Sequence, residues 1–183
     1  MIFISAGHNI GSLKTKEDPG AVANGITEAD KALEFKNLVI SKCLKKGLKV
    51  ITDKDDEKLG DYLKRIQTGS GSVVLEFHFD SASNPKATGT TALVGNDADR
   101  LDKSFGQELV NATSNILKIK NRGVLTEGQS ARGRLGLMRE QGTVCLLELC
   151  FISNKEDMAN YELYKHELAS AIAEIVYKYE NLA

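Results

Sequence analysis

Val73-Val74-Leu75-Glu76-Phe77-His78 reads as a β-strand that ends on a histidine. Apolar runs of the same kind recur outward from it. Strands are expected at 2–6, 48–52, 72–79, 89–94 and 144–151. Helical periodicity fills the gaps between them. The segment 28–46 starts after Thr27, a capping residue with Asp30 three positions on. It ends in Lys45 and Lys46, which suit a helix C-terminus, and Gly47 suits the position just beyond. A second helix is expected over 98–118, with Phe105, Leu109, Ala112 and Ile116 on one stripe. A third runs over 160–180, with Leu168, Ile172, Ile175, Val176 and Tyr179 as its apolar face. A shorter helix is expected near 56–68. The segment 121–142 reads as a long loop with at most one strand.

Strands alternating with helices imply an α/β fold. The expectation is one three-layer domain over residues 1–183, its mainly parallel, mixed sheet flanked by helices. No internal repeat, low-complexity tract or linker interrupts the chain. In such folds ligands gather at the carboxyl ends of the strands. His8 follows the first strand, in Ile4-Ser5-Ala6-Gly7-His8-Asn9. His78 and Glu148 fall late in theirs, and Glu28 opens the first helix. One rim of the sheet can therefore hold all four.

Composition narrows the classes of function. The chain has 183 residues, 42% hydrophobic and 27% charged, as in an ordinary globular domain with a proper core. Lys plus Arg is 24 against 25 Asp plus Glu, a net charge of −1 that offers no basic face for nucleic acid. No apolar run approaches the ~20 residues that span a bilayer. The N-terminus lacks the pattern of a signal peptide, so the chain is expected to be made in the cytoplasm. It is also expected to be a monomer. Cys43, Cys145 and Cys150 are odd in number and unpaired in spacing, which argues for free thiols. On a regular strand Cys145 and Cys150 would point to opposite faces, with Cys150 on the face of Glu148.

Two imidazoles and a carboxylate are a standard ligand set for a catalytic zinc. A second carboxylate nearby can take a proton from water. Each residue also has a plainer reading. Glu148, inside Val144-Cys145-Leu146-Leu147-Glu148-Leu149-Cys150-Phe151, could be a buried ion-pair partner. His78 could be an ordinary strand-end histidine, and His8 a turn residue. His166 serves as a control: roughly 200° from Leu168 on an ideal helix, it faces solvent and has no role. Glu76 shares a strand face with His78, either as an acceptor that orients the imidazole or as a solvated carboxylate. Arg122, Arg132, Arg134 and Arg139 lie in and around the 121–142 loop, where they could grip substrate carboxylates or simply be solvated.

Together the motifs resemble the zinc-dependent N-acetylmuramoyl-L-alanine amidases, the branch with bacterial wall hydrolases and phage endolysins. The resemblance rests on Ala6-Gly7-His8, Asp18-Pro19-Gly20-Ala21, Asn24-Gly25 and Glu28, Phe77-His78-Phe79-Asp80-Ser81, and Glu148-Leu149-Cys150-Phe151-Ile152-Ser153-Asn154. They run in family order along nearly the whole chain. The resemblance implies that His8, Glu28 and His78 bind Zn2+, that Glu148 is the catalytic carboxylate, and that the mixed sheet has six strands. It implies peptidoglycan as substrate, cut between N-acetylmuramic acid and L-alanine, on the cell-wall side of the membrane. Arg132, Arg134 and Asp80 are the candidate substrate contacts. The chain departs from the usual pattern at Ser5 (Asp in the family), Asn9 (Gly), Asp80 (Asn) and Cys150 (Gly), and in a longer segment between His8 and Asp18. Two other readings remain open: a zinc peptidase or deacylase of another amide, and a non-catalytic peptidoglycan-binding module. With nothing but Asn181-Leu182-Ala183 after the last helix, a lone catalytic domain of endolysin type is the expectation.

Overall fold

The computed structural model describes residues 1–8, 18–55, 57–131 and 133–182. Its centre is a six-stranded sheet. The strands are β1 (Ile2–Ala6), β4 (Val50–Thr52), β5 (Val73–Asp80), β6 (Thr90–Val94), β7 (Asn121–Thr126) and β8 (Thr143–Phe151), in the order β4-β1-β5-β8-β6-β7. From β4 to β8 all neighbours are parallel. β6 runs antiparallel to β8 and parallel to β7. The sheet is therefore mixed, with most pairs parallel. Nearly every residue of β1, β5 and β8 is buried. Unbroken apolar runs of this kind suit strands covered on both faces.

The helices are unevenly shared between the two faces. α1 (Glu28–Lys45), α3 (Arg100–Leu117) and α4 (Lys155–Glu180) pack on one face against Ile2, Ile4, Leu75, Phe77, Cys145 and Leu147. Among the described residues, the other face carries the short α2 (Leu59–Arg65) and a 3-10 turn at Gly136–Arg139, packed on Phe3, Val74, Val144 and Leu146. That thin layer leaves room for a site.

Several boundaries differ from the sequence expectation for identifiable reasons. α4 begins at Lys155, because Asn154 caps it by accepting from Glu156 N and Asp157 N, with two acidic residues in the first turn. On α3 the buried face is Phe105, Leu109, Val110, Thr113 and Leu117, one step round from the expected stripe. The Thr113 hydroxyl can be buried there because it donates to Leu109 O at 2.8 Å. A hairpin, β2 (Val22–Ala23) and β3 (Ile26–Thr27), turns through Asn24 and Gly25, both at positive φ. Thr27 caps α1 as expected. The 121–142 segment holds β7 and two 3-10 turns.

A bulge in β8 changes one side-chain assignment. His78 pairs with Glu148, but Asp80 pairs with Phe151, so β8 has one extra residue there. The phase of the strand flips after Glu148. Cys150 thus points to the helices, its Sγ 3.9 Å from Met158 Sδ, and does not share the face of Glu148. It joins Cys145 in the same core cluster, contrary to the expected opposite facing. All three cysteines are free and buried.

Candidate metal centre

β1 ends at Ala6, and the chain leaves the sheet rim through Gly7 and His8. Gly7 N donates to Phe77 O at 2.8 Å, extending the β1–β5 ladder by one residue. A β-carbon on Gly7 would sit 2.1–2.4 Å from the His78 ring, so only glycine lets that imidazole lie across the backbone. His8 follows with φ of 67°, a left-handed conformation that non-glycine residues rarely adopt and that clusters at functional sites. Gly20, at φ 64°, allows a second close approach: its β-carbon would meet His8 Cδ2 at 2.5 Å and Glu28 Oε2 at 2.7 Å.

Glu28 joins the two histidines. Its Oε1 lies 2.7 Å from His78 Nδ1 and its Oε2 3.2 Å from His8 Nε2. As the first residue of α1, the carboxylate sits where the helix backbone favours negative charge. Phe79 N donates to Oε1 at 3.1 Å and Ala21 N to Oε2 at 2.9 Å, which fixes its orientation. Each histidine has a further carboxylate on its far nitrogen. His8 Nδ1 is 3.0 Å from Asp18 Oδ1, and His78 Nε2 is 3.2 Å from Glu76 Oε1. One donor atom from each of His8, Glu28 and His78 lies within 4.8 Å of the other two. Glu148 stands beside His78 on the neighbouring strand, buried, and its carbonyl accepts from Thr90 Oγ1 at 2.7 Å.

The electrostatics of this cluster call for positive charge. Burial works against charging His78, but hydrogen bonds to Glu28 and Glu76 and the field of Glu148 prevail and raise it to about 10. His8 is raised too: burial opposes the charge, and Glu28 outweighs it. Glu28 is driven well below the usual carboxylate range; burial alone would raise it, but His78 and His8 dominate. Glu76 is likewise lowered against the pull of burial, by His78 and Ser5. The nitrogens of His8 are both buried, yet neither is aligned for a hydrogen bond with a described residue, despite the short distances to Asp18 and Glu28. Two imidazoles and a carboxylate with converging donors, one imidazole poorly satisfied by hydrogen bonds, fit a divalent metal of zinc type.

Beside His8 and His78 a cavity of about 630 Å³ opens on the thinly covered face. Ser5 and Glu76 form part of its floor, with Tyr62 and Asp53 on one side and Leu135–Leu137 on another. The Leu135 wall is anchored by Glu127, which the sequence did not single out. Glu127 is buried, accepts from Leu135 N at 2.7 Å and pairs with Arg139. No local pattern marks it; only its burial does. Arg122 is likewise occupied structurally, over the Phe151 ring at 5.1 Å. Asp80 ends β5 and accepts from Ser81 N at 2.8 Å, at the rim but outside the cavity lining. Arg134 is exposed on the loop, and Arg132 lies outside the described residues. His166 is exposed on α4, far from these groups in the fold. Asp18, quoted within a motif but given no role, is the contact the sequence reading missed.

A family model for N-acetylmuramoyl-L-alanine amidase matches residues 2–178. The chain belongs to this family. A curated relative of the chain, "Probable autolysin PH" of Staphylococcus aureus, is 28% identical over 195 residues. That match takes in 93% of this chain but 38% of the relative's length. A crystal structure from Neisseria meningitidis, assigned as an N-acetylmuramoyl-L-alanine amidase, is 31% identical with a TM-score of 0.76, covering 97% of this chain and 93% of the other. The CwlD amidase of Clostridioides difficile, solved in complex with the GerS lipoprotein, has the same fold: TM-score 0.78 at 22% identity, covering 100% and 98%. The six-stranded mixed sheet expected from the sequence is the family's fold. Among the described residues, no helix is long and apolar enough to cross a membrane.

Proposed function

We propose that residues 1–183 are a catalytic domain that hydrolyses the amide between the lactyl group of N-acetylmuramic acid and L-alanine in peptidoglycan. His8, Glu28 and His78 hold a zinc ion and Glu148 is the general base. The observation that carries this reading is the convergence of donors from His8, Glu28 and His78 within 4.8 Å, with Glu148 on the adjoining strand.

Zinc supplies Lewis-acid polarisation of the carbonyl and acidifies water toward a pKa of ~7. The remaining steps belong to the chain. Glu148 takes the proton of the attacking water and delivers it to the nitrogen of L-alanine as the C–N bond breaks. The products are a free lactyl carboxylate and a stem peptide with a new amino terminus. Glu28, its carboxylate oriented by Phe79 N and Ala21 N, stands between the two imidazoles as the third ligand. The cavity beside His8 and His78 offers a substrate apolar surface at Leu135 and Leu137 and polar or charged groups at Ser5, Asp53, Glu57 and Lys58. Arg134 and Asp80 remain candidate substrate contacts outside the cavity lining in this proposal, and Arg132 remains a candidate from the sequence. The place of action is the cell wall.

Product analysis on purified peptidoglycan tests the reading. Intact stem peptides with free L-alanine amino termini are expected. Cleavage of a different amide would indicate a peptidase or deacylase on this scaffold. Zinc binding with no release of material would indicate a binding module.

A further inference from the structure

His78 stands between two carboxylates. Its Nδ1 is 2.7 Å from Glu28 Oε1, and its Nε2 is 3.2 Å from Glu76 Oε1. A neutral imidazole has one N–H and one lone pair, while an ionised carboxylate only accepts. Which nitrogen keeps the proton decides which one can bind a metal.

The two sides of the ring differ. On the Nδ1 side stands Glu28, whose Oε1 is 2.7 Å from His78 Nδ1 and whose Oε2 is 3.2 Å from His8 Nε2. On the Nε2 side stand Glu76 and, behind it, Ser5, whose Oγ donates to Glu76 Oε2 at 2.9 Å. Ser5 and Glu76 are directly opposite in the β1–β5 register, so the backbone fixes this contact. Glu76 is 3% exposed, and among the described residues no Lys or Arg pairs with it. Ser5 serves Oε2 of this buried carboxylate, and for Oε1 the Nε2–H of His78 is the donor at 3.2 Å.

We infer that Glu76, braced by Ser5, is a positioning residue that keeps His78 protonated at Nε2, so that His78 offers Nδ1 to the metal. This rests on the proposed ligand role of His78. It also gives a use to Ser5, where the family pattern has an acid: the carboxylate stands on β5 and the hydroxyl on β1.

Long-range 1H–15N spectra of the zinc-loaded chain test the inference without mutation. The chain has only three histidines, and exposed His166 serves as an unbound reference. His78 is expected to show a protonated Nε2 and a metal-shifted Nδ1. Zinc affinity, read by competition with a chromophoric chelator, is expected to fall about 10-fold in Glu76→Gln and about 100-fold in Glu76→Met. Ser5→Ala, the milder change, is expected to weaken binding less than either and to fold if the others do not. A His78 bound through Nε2, or Glu76→Met affinity within about threefold of the parent, overturns the inference. His78→Ala separates the two levels. If it binds zinc normally, the ligand reading itself is wrong; if it loses zinc while His78 of the parent is bound through Nε2, only the role of Glu76 is.

Discussion

Glu148 and His78 lie directly opposite one another across the β5–β8 pair, and the bulge in β8 begins immediately after them. Parallel neighbours at the same register put the two side chains on one face of the sheet. A proposed ligand and a proposed base are thus held by backbone pairing, and the extra residue beyond them turns the next side chains toward the helices.

Glu148→Gln is expected to keep the fold and the zinc and to lose activity. Gln matches the shape of Glu, so β8 packing survives, but it cannot accept the proton from water. The expected loss is about 10²–10⁴-fold in turnover. Zinc content, thermal melting and turnover on one preparation decide the matter. Normal turnover in the variant would end the mechanism proposed for this site.

Gly7→Ala is expected to disturb the centre from the backbone side. The added methyl would lie 2.1–2.4 Å from three atoms of the His78 ring, so the imidazole must move. Overpacking of this sort costs about 1–3 kcal/mol. The displaced ring should also lose metal. Reduced zinc stoichiometry with a lowered melting temperature is the expected result; a variant with both unchanged would show that the ring has more freedom than its surroundings suggest.

Metal-free protein should lose more stability than zinc-loaded protein as the pH rises. Glu28 is held below its ordinary value of 4.5, so its stabilising contribution is complete above that pH and is lost in acid. His78 is raised from 6.5 to about 10, so its contribution is complete below 6.5 and fades as the pH climbs toward 10. The metal-free chain should therefore melt at a lower temperature near pH 9 than near pH 6.5. Zinc needs neutral imidazoles, so its affinity should rise over the same range and offset the loss. Melting curves with chelator and with zinc at both pH values measure the difference.

Thiol titration is expected to find three groups in the unfolded, unreduced chain and almost none in the native one. Cys43 is pushed up to about 11 by burial, and Cys145 and Cys150 are also raised by burial. Although both point into the helix-side core, Cys145 and Cys150 are five residues apart on one strand. That is roughly 16 Å, well beyond disulfide reach. Fewer than three thiols after unfolding would contradict this assignment.

Of the residues named from local patterns, the fold brings His8, Glu28 and His78 together and sets Glu148 beside His78, but it leaves Asp80 and Arg134 outside the cavity lining. Thr27 announced α1, and with it the place of Glu28, because a cap and an apolar stripe are local signals. The start of α4 was also legible, in Asn154 followed by Glu156 and Asp157, but the apolar stripe alone pointed further along the chain. The face of Cys150 was misread because strand alternation assumes an unbroken ladder, and a bulge leaves no mark in a single sequence.

By itself the sequence determined the main strands and helices and the order of the motifs, and it named His8, Glu28, His78 and Glu148 as candidates. Each of these rests on chemistry between residues close along the chain. The tertiary structure alone decided which carboxylate meets which imidazole nitrogen: Asp18 at His8, Glu76 and Glu28 at His78. It alone also set Glu127 behind the cavity wall. Those contacts depend on strand register, on one inserted residue and on the close approaches that Gly7 and Gly20 permit. Such distances between remote segments are fixed only when the whole sheet is assembled.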